Sequence, residues 1–146
     1  MKNKFYTYLL LFLIGLILVG GYIFIKNTFK SSEKNLEKES ALVSLNSDDL
    51  VTSFFNDETK SNKRYTGKII EVTGFVKEIS YLNNRITLIL SSNTNSYGVI
   101  CDVNSSQKEK INKLKKNQKI LVKGICKGFL KDVILQNCYI DTLTNE

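Results

Sequence analysis

Residues 72–77 (VTGFVK) and 122–127 (VKGICK) share one pattern: a valine two positions before a glycine and a lysine three positions after it. Both copies lie in stretches that otherwise alternate apolar and polar residues as half-buried β-strands do. Glycine inside a strand weakens it, unless the strand bends sharply or another group comes too close for a side chain. Two such positions in 146 residues point to a strongly coiled sheet that closes on itself.

The surrounding strand signals agree. In KIIEVTGFVKEI (68–79), Ile70, Val72 and Val76 fall on one face, and Asn83–Asn84 marks a turn. RITLIL (85–90) follows, then YGVICDV (97–103) with Val99, Cys101 and Val103 on one side. SSQKEKINKLKKN (105–117) breaks the alternation, with Ile111 and Leu114 spaced for a one-sided short helix. QKILVKGICKG (118–128) and KDVILQNCYI (131–140) return to strand, joined by a loop around Gly128, Phe129 and Leu130. Three strands, a helix and two strands define a mainly β chain: a five-stranded OB-fold, the Greek-key barrel with a helix between strands 3 and 4. The first and fourth strands of that barrel are neighbours. Gly74 and Gly124 are then matching bends at the closure, and Val72, Val76, Ile120 and Val122 fill the interior. Just before the barrel, SDDLVTSFFNDE reads as a short helix with Ser47 as N-cap and Leu50, Val51, Phe54 and Phe55 as its apolar stripe. That stripe serves to plug the domain.

The first part of the chain obeys a different rule. Residues 1–4 form a short head, and Phe5 to Ile25 carries no charge, enough as a helix to cross a hydrocarbon core of about 30 Å. Tyr6, Tyr8 and Tyr22 suit the two interfaces. The run exceeds a usual signal-peptide core and lacks a small-residue exit, so it reads as an uncleaved single-pass transmembrane helix. Residues 26–46 are a polar linker, and 47–143 the barrel domain with its leading helix. A short head followed by one span and one domain places that domain outside the cytoplasm of a bacterial membrane. The lysines on both sides of the span leave orientation open.

RYTGKIIEVTGFVKEI, GVICDV and LKKNQKILVKGICKGFLKDVILQNCYI, with the helix before them, resemble the tRNA_anti-like family of bacterial OB-fold proteins over about residues 47–141. The most specific stretch comprises Gly124, Cys126, Gly128, Asp132, Val133, Leu135 and Cys138. The resemblance implies a membrane-attached module with nucleic-acid binding inferred from fold and no catalytic residues. This chain has no lipid-attachment cysteine near its apolar run, so attachment by lipid does not carry over.

Chemistry is bounded by what is missing. With no histidine, Ser-His-Asp and Cys-His catalysis and imidazole metal sites are excluded. Cys101, Cys126 and Cys138 show no metal or redox spacing. They are either buried thiols or, for Cys101 and Cys138 on adjacent strands, a disulfide. Asp102 and Asp132 are the available carboxylate pair, more simply read as solvated strand residues. No cofactor, metal or catalytic residue is expected, so the chain is read as a non-enzyme.

An OB-fold binds on its second and third strands and two flanking loops. There the sequence offers Tyr81, Arg85, Tyr97, Phe129 and Lys131 as candidate ligand-binding residues. Nucleic acid finds support in the net charge of +7 and in Lys108, Lys110, Lys113, Lys115 and Lys116. Against it, only Arg64 and Arg85 are arginine, and residues 41–146 carry fifteen basic against eleven acidic residues, a net +4. Arginine is the side chain that forks onto phosphate and stacks on bases. The expected function is therefore a membrane-anchored, non-catalytic module binding an unknown protein or oligomeric ligand in the barrel cleft; single-stranded nucleic acid is the alternative. The lysines also suit anionic lipid or polysaccharide.

Overall fold

The structure, a computed structural model, describes Tyr6, Tyr8, residues 12–22, Leu36 and residues 38–92 and 96–141. The chain divides into two units, Met1–Lys34 and Asn35–Glu146. In the first, residues 12–22 are helical (α1) with exposed side chains. Among the described residues no helix is long and apolar enough to cross a membrane. The head at 1–4, the rest of the expected span and linker residues 26–35 lie outside the described residues.

The second unit begins earlier than Ser47. Residues Ser44–Asn46 form a short strand (β1) that pairs in parallel with the start of the next strand, Leu45 opposite Val72. Leu36 is fully buried, and the Leu42 N–H donates to the Ile69 carbonyl at 2.8 Å. The later part of the polar segment is thus part of the domain.

Next comes α2 (Ser47–Asn56), which carries Leu50, Val51 and Phe54 into the core and leaves Phe55 exposed. Asn46, not Ser47, occupies the N-cap position. Ser47 is instead the first helical residue, and its buried hydroxyl donates to the Ser91 carbonyl at 2.7 Å, seating the helix on the end of a strand. A second helix, α3 (Glu58–Tyr65), is unannounced in the alternation pattern because its mean hydropathy is low. It starts where the Asp57 side chain accepts from the Lys60 N–H at 2.9 Å.

The barrel strands are β2 (Ile69–Leu82), β3 (Arg85–Ser91), β4 (Gly98–Val103), β5 (Lys119–Leu130) and β6 (Asp132–Asp141). A 3₁₀ turn at Ser105–Gln107 and one turn of helix, α4 (Lys108–Ile111), join β4 to β5. The strand order β2-β3-β4-β6-β5 closes by pairing β2 with β5, with β4 and β6 parallel. This is a closed five-stranded barrel of OB-fold topology.

The repeat is explained by one pairing. Val72 faces Val122, and the antiparallel register then sets Ile70 opposite Gly124 and Ile120 opposite Gly74. Both strands read Ile-x-Val-x-Gly across that pair, so each large isoleucine meets a glycine. Neither glycine has a positive φ. Both are places of close approach: a Cβ at Gly74 would lie 2.8 Å from the Ser47 hydroxyl, and one at Gly124 would lie 2.7 Å from the Cys138 sulfur. Gly124 also sits at a register shift between β5 and β6, where Asn137 takes a left-handed φ of 54°. Val72, Val76, Ile120 and Val122 are buried in the interior as their alternation requires, along with Leu88, Leu90, Val99 and Leu135. The hydrophobic core lies entirely within the second unit, which therefore carries its own fold.

Candidate functional site

Each barrel end is finished by different residues. One end, where β3 stops and β4 starts, lies under α2 and α3. Phe54 enters it from α2, with its ring 5.9 Å from Tyr65 of α3 and 5.9 Å from Phe129 of β5. Tyr97 meets Phe129 edge-on at 6.2 Å and Phe55 at 6.0 Å. Phe129 is therefore not at a loop tip, as the sequence suggested. β5 continues to Leu130, and Phe129 is half-buried and stacked on Phe54. The β5–β6 turn is the single residue Lys131, exposed and left-handed at φ 72°, with Leu130 projecting beside it. The Asp132 carboxylate accepts from the Gly98 N–H at 2.6 Å, tying this turn to the start of β4. At Gly98 a side chain would run into the Leu90 carbonyl oxygen.

The other end lies beside α4. Asn83 and Asn84, with φ of 47° and 63°, turn β2 into β3. Two consecutive left-handed residues make the tight hairpin turn whose twist matches the strands. Next to it Tyr81 is 53% exposed and Leu82 70% exposed. The Tyr81 hydroxyl donates to the Asn112 side-chain oxygen at 3.0 Å. The Arg85 guanidinium meets the Asp102 carboxylate at 2.7 Å, and this hydrogen bond raises the pKa of the exposed arginine. Tyr81, Leu82, Arg85, Ile86, Ser105 and Lys108 line a groove of about 270 Å³.

The five residues singled out from sequence therefore fall into two groups. Ile86 pairs with Val103 and Ser91 with Gly98, while Val99 pairs with Val133. Tyr81 and Arg85 thus belong to the Val103 end of β4, and Tyr97, Phe129 and Lys131 to its Gly98 end. The outer face between them carries Thr87, Ile89, Ile100 and Asp102, with Ile134 continuing the row on β6. These side chains are half-buried and none is aromatic. Asp102 and Asp132, weighed as an acid–base pair, lie at opposite ends of this face and are already engaged by Arg85 and by the Gly98 N–H.

All three cysteines are buried free thiols. Burial pushes the Cys126 pKa up, against hydrogen bonds with the Gly128 backbone and the Thr66 hydroxyl. Burial pushes Cys138 well above the ordinary thiol range, helped by a hydrogen bond with its neighbour Cys101. Reactive cysteines are shifted the other way. Among the described residues no cluster of Cys, Asp or Glu could hold a metal ion.

Leu82 escaped the sequence reading. The β2 bulge at Lys77 changes the phase of the alternation, because Val76 pairs with Leu90 but Glu78 with Ile89. An apolar residue beside an Asn-Asn turn is the one signal that was legible.

Known proteins align with this geometry. A lipoprotein of Klebsiella pneumoniae, named as a candidate nucleic acid-binding protein, superposes with a TM-score of 0.57 at 16% identity, covering 66% of this chain and 90% of that one. The Stn1–Ten1 complex of S. pombe follows at 0.45 and 14%, covering 53% and 59%. An asparaginyl-tRNA synthetase of Pyrococcus horikoshii follows at 0.44 and 18%, covering 55% of this chain and 20% of the enzyme. No curated protein matches the sequence. The tRNA_anti-like family profile matches residues 1–140, and the chain belongs to that family.

Proposed function

We propose that this chain is a membrane-tethered, non-catalytic binding module of the bacterial envelope. The apolar run from Phe5 to Ile25 is its single-pass anchor, and the barrel lies outside the cytoplasm. Its ligand is a protein segment or other oligomer bound along the outer face of β3 and β4. The observation that carries this reading is the row Thr87, Ile89, Ile100 and Ile134, a β-branched surface with no ring on which a base could stack. A photo-crosslinker placed at Ile100 in cells should form a discrete adduct that is lost with Ile89→Lys and absent when the probe is at Lys127. Adducts at both positions, or at neither, would remove the β3–β4 face from consideration. Protease treatment of spheroplasts should cut the barrel without permeabilisation, whereas protection would place it in the cytoplasm.

A second reading, single-stranded nucleic acid, draws support from the lysines around α4, from Tyr81 beside Arg85, and from the name of the Klebsiella lipoprotein. It requires salt-sensitive oligonucleotide binding that falls with Tyr81→Ala and Arg85→Ala.

A further inference from the structure

We propose that the end of the barrel beside α4 docks on an anionic lipid bilayer. Two independent features meet there. The β2–β3 hairpin holds Leu82, 70% exposed, and Tyr81, 53% exposed, beyond the barrel wall. Both turn residues are left-handed, which makes the turn tight, and the Tyr81 hydroxyl donates to Asn112, just past α4. Lys108 lines the groove beside the tip and Lys113 follows Asn112, while Lys115, Lys116 and Lys119 lie farther along the same segment, toward Val76 and Phe75. All five are exposed, and among the described residues no ion pair engages them. Glu109 is the one carboxylate between residues 104 and 119.

The types of residue select the partner. An apolar tip with a run of cations beside it is the arrangement that enters the boundary between headgroups and acyl chains. Lysine is a compact, hydrated point charge suited to the diffuse field of anionic headgroups. A nucleic-acid strand instead calls for forked arginines and several stacking rings. Here Arg85 is held by Asp102, and Tyr81 is the only ring lining the groove. The outer face of β3 and β4 runs along the barrel wall, so docking leaves it open to a ligand.

Fragment 35–146, whose core is complete, tests this without the N-terminal apolar run. It is sedimented with vesicles of phosphatidylcholine alone and of phosphatidylcholine mixed with phosphatidylglycerol. Binding is expected only with phosphatidylglycerol and should weaken as salt rises. The combined variant Lys113→Glu, Lys115→Glu, Lys116→Glu should bind at least about tenfold more weakly. Leu82→Ser should weaken binding by roughly tenfold at unchanged melting temperature. Equal binding to neutral vesicles, or wild-type binding by the triple variant, overturns the proposal. So does displacement from vesicles by a single-stranded oligonucleotide bound more tightly through the same lysines, which would make a nucleic-acid strand the occupant. None of these results bears on the crosslinking test at Ile100, so the two proposals fail separately.

Discussion

The two ends of the barrel use the same kinds of side chain for opposite purposes. At the α2–α3 end, Phe54, Tyr65, Tyr97 and Phe129 turn toward one another and close the interior. At the α4 end, Ile111 is the α4 residue drawn fully into the core, while Tyr81 and Leu82 remain exposed beside Lys108. An aromatic residue on an OB-fold loop is thus not in itself a ligand contact. What decides is whether a helix has been placed over it. Two helices serve one end of this barrel and a single helical turn serves the other.

The contrast breaks most visibly at Phe54. Its replacement by alanine should cost about 3–5 kcal/mol in urea unfolding, since it empties the centre of the aromatic seal. A loss below about 1 kcal/mol would mean that the seal does not hold the fold together. Next in size, Gly124→Ala should cost about 1–3 kcal/mol through overpacking against the Cys138 sulfur. The same change made in a Cys138→Ala background should cost less, and simple additivity would count against the close approach.

Ser47→Ala, which strips the Ser91 carbonyl of its partner, should cost about 1 kcal/mol. The thiols give a weaker effect near neutrality. Their pKa values are raised in the folded state, so the protonated form is favoured by folding and its contribution is complete below the ordinary thiol pKa of about 8.5. Melting temperature should therefore be level through neutral pH and fall above that value, and Cys138→Ala should flatten the decline. Smallest of all, Leu82→Ala at the open end should shift stability by no more than about 0.5 kcal/mol. A larger loss would show that the hairpin tip is packed and not presented.

Much of the barrel was legible because alternation is a local property. Val72, Val76, Val99, Ile120 and Val122 could be assigned inward from period two alone. The candidate site was far less so. Phe129 sits two residues before the Lys131 turn, and nothing local tells whether the strand or the loop owns it. Phe129 was absorbed by Phe54, and Tyr97 by Phe129 and Phe55, residues that lie more than thirty positions away in the chain. α3 was invisible because its polar sequence, ETKSNKRY, has no apolar stripe beyond Tyr65.

The sequence by itself determined the order of the five barrel strands, most of the residues facing inward and the glycines at the closure. These follow from the two-residue period of a strand and from the bulk of one side chain at a time. Which aromatic rings were buried and which apolar tip stayed exposed was decided only in the tertiary structure. Burial depends on what chain packs across a barrel end, and α2 and Phe129 meet there across a separation in sequence that no local pattern spans.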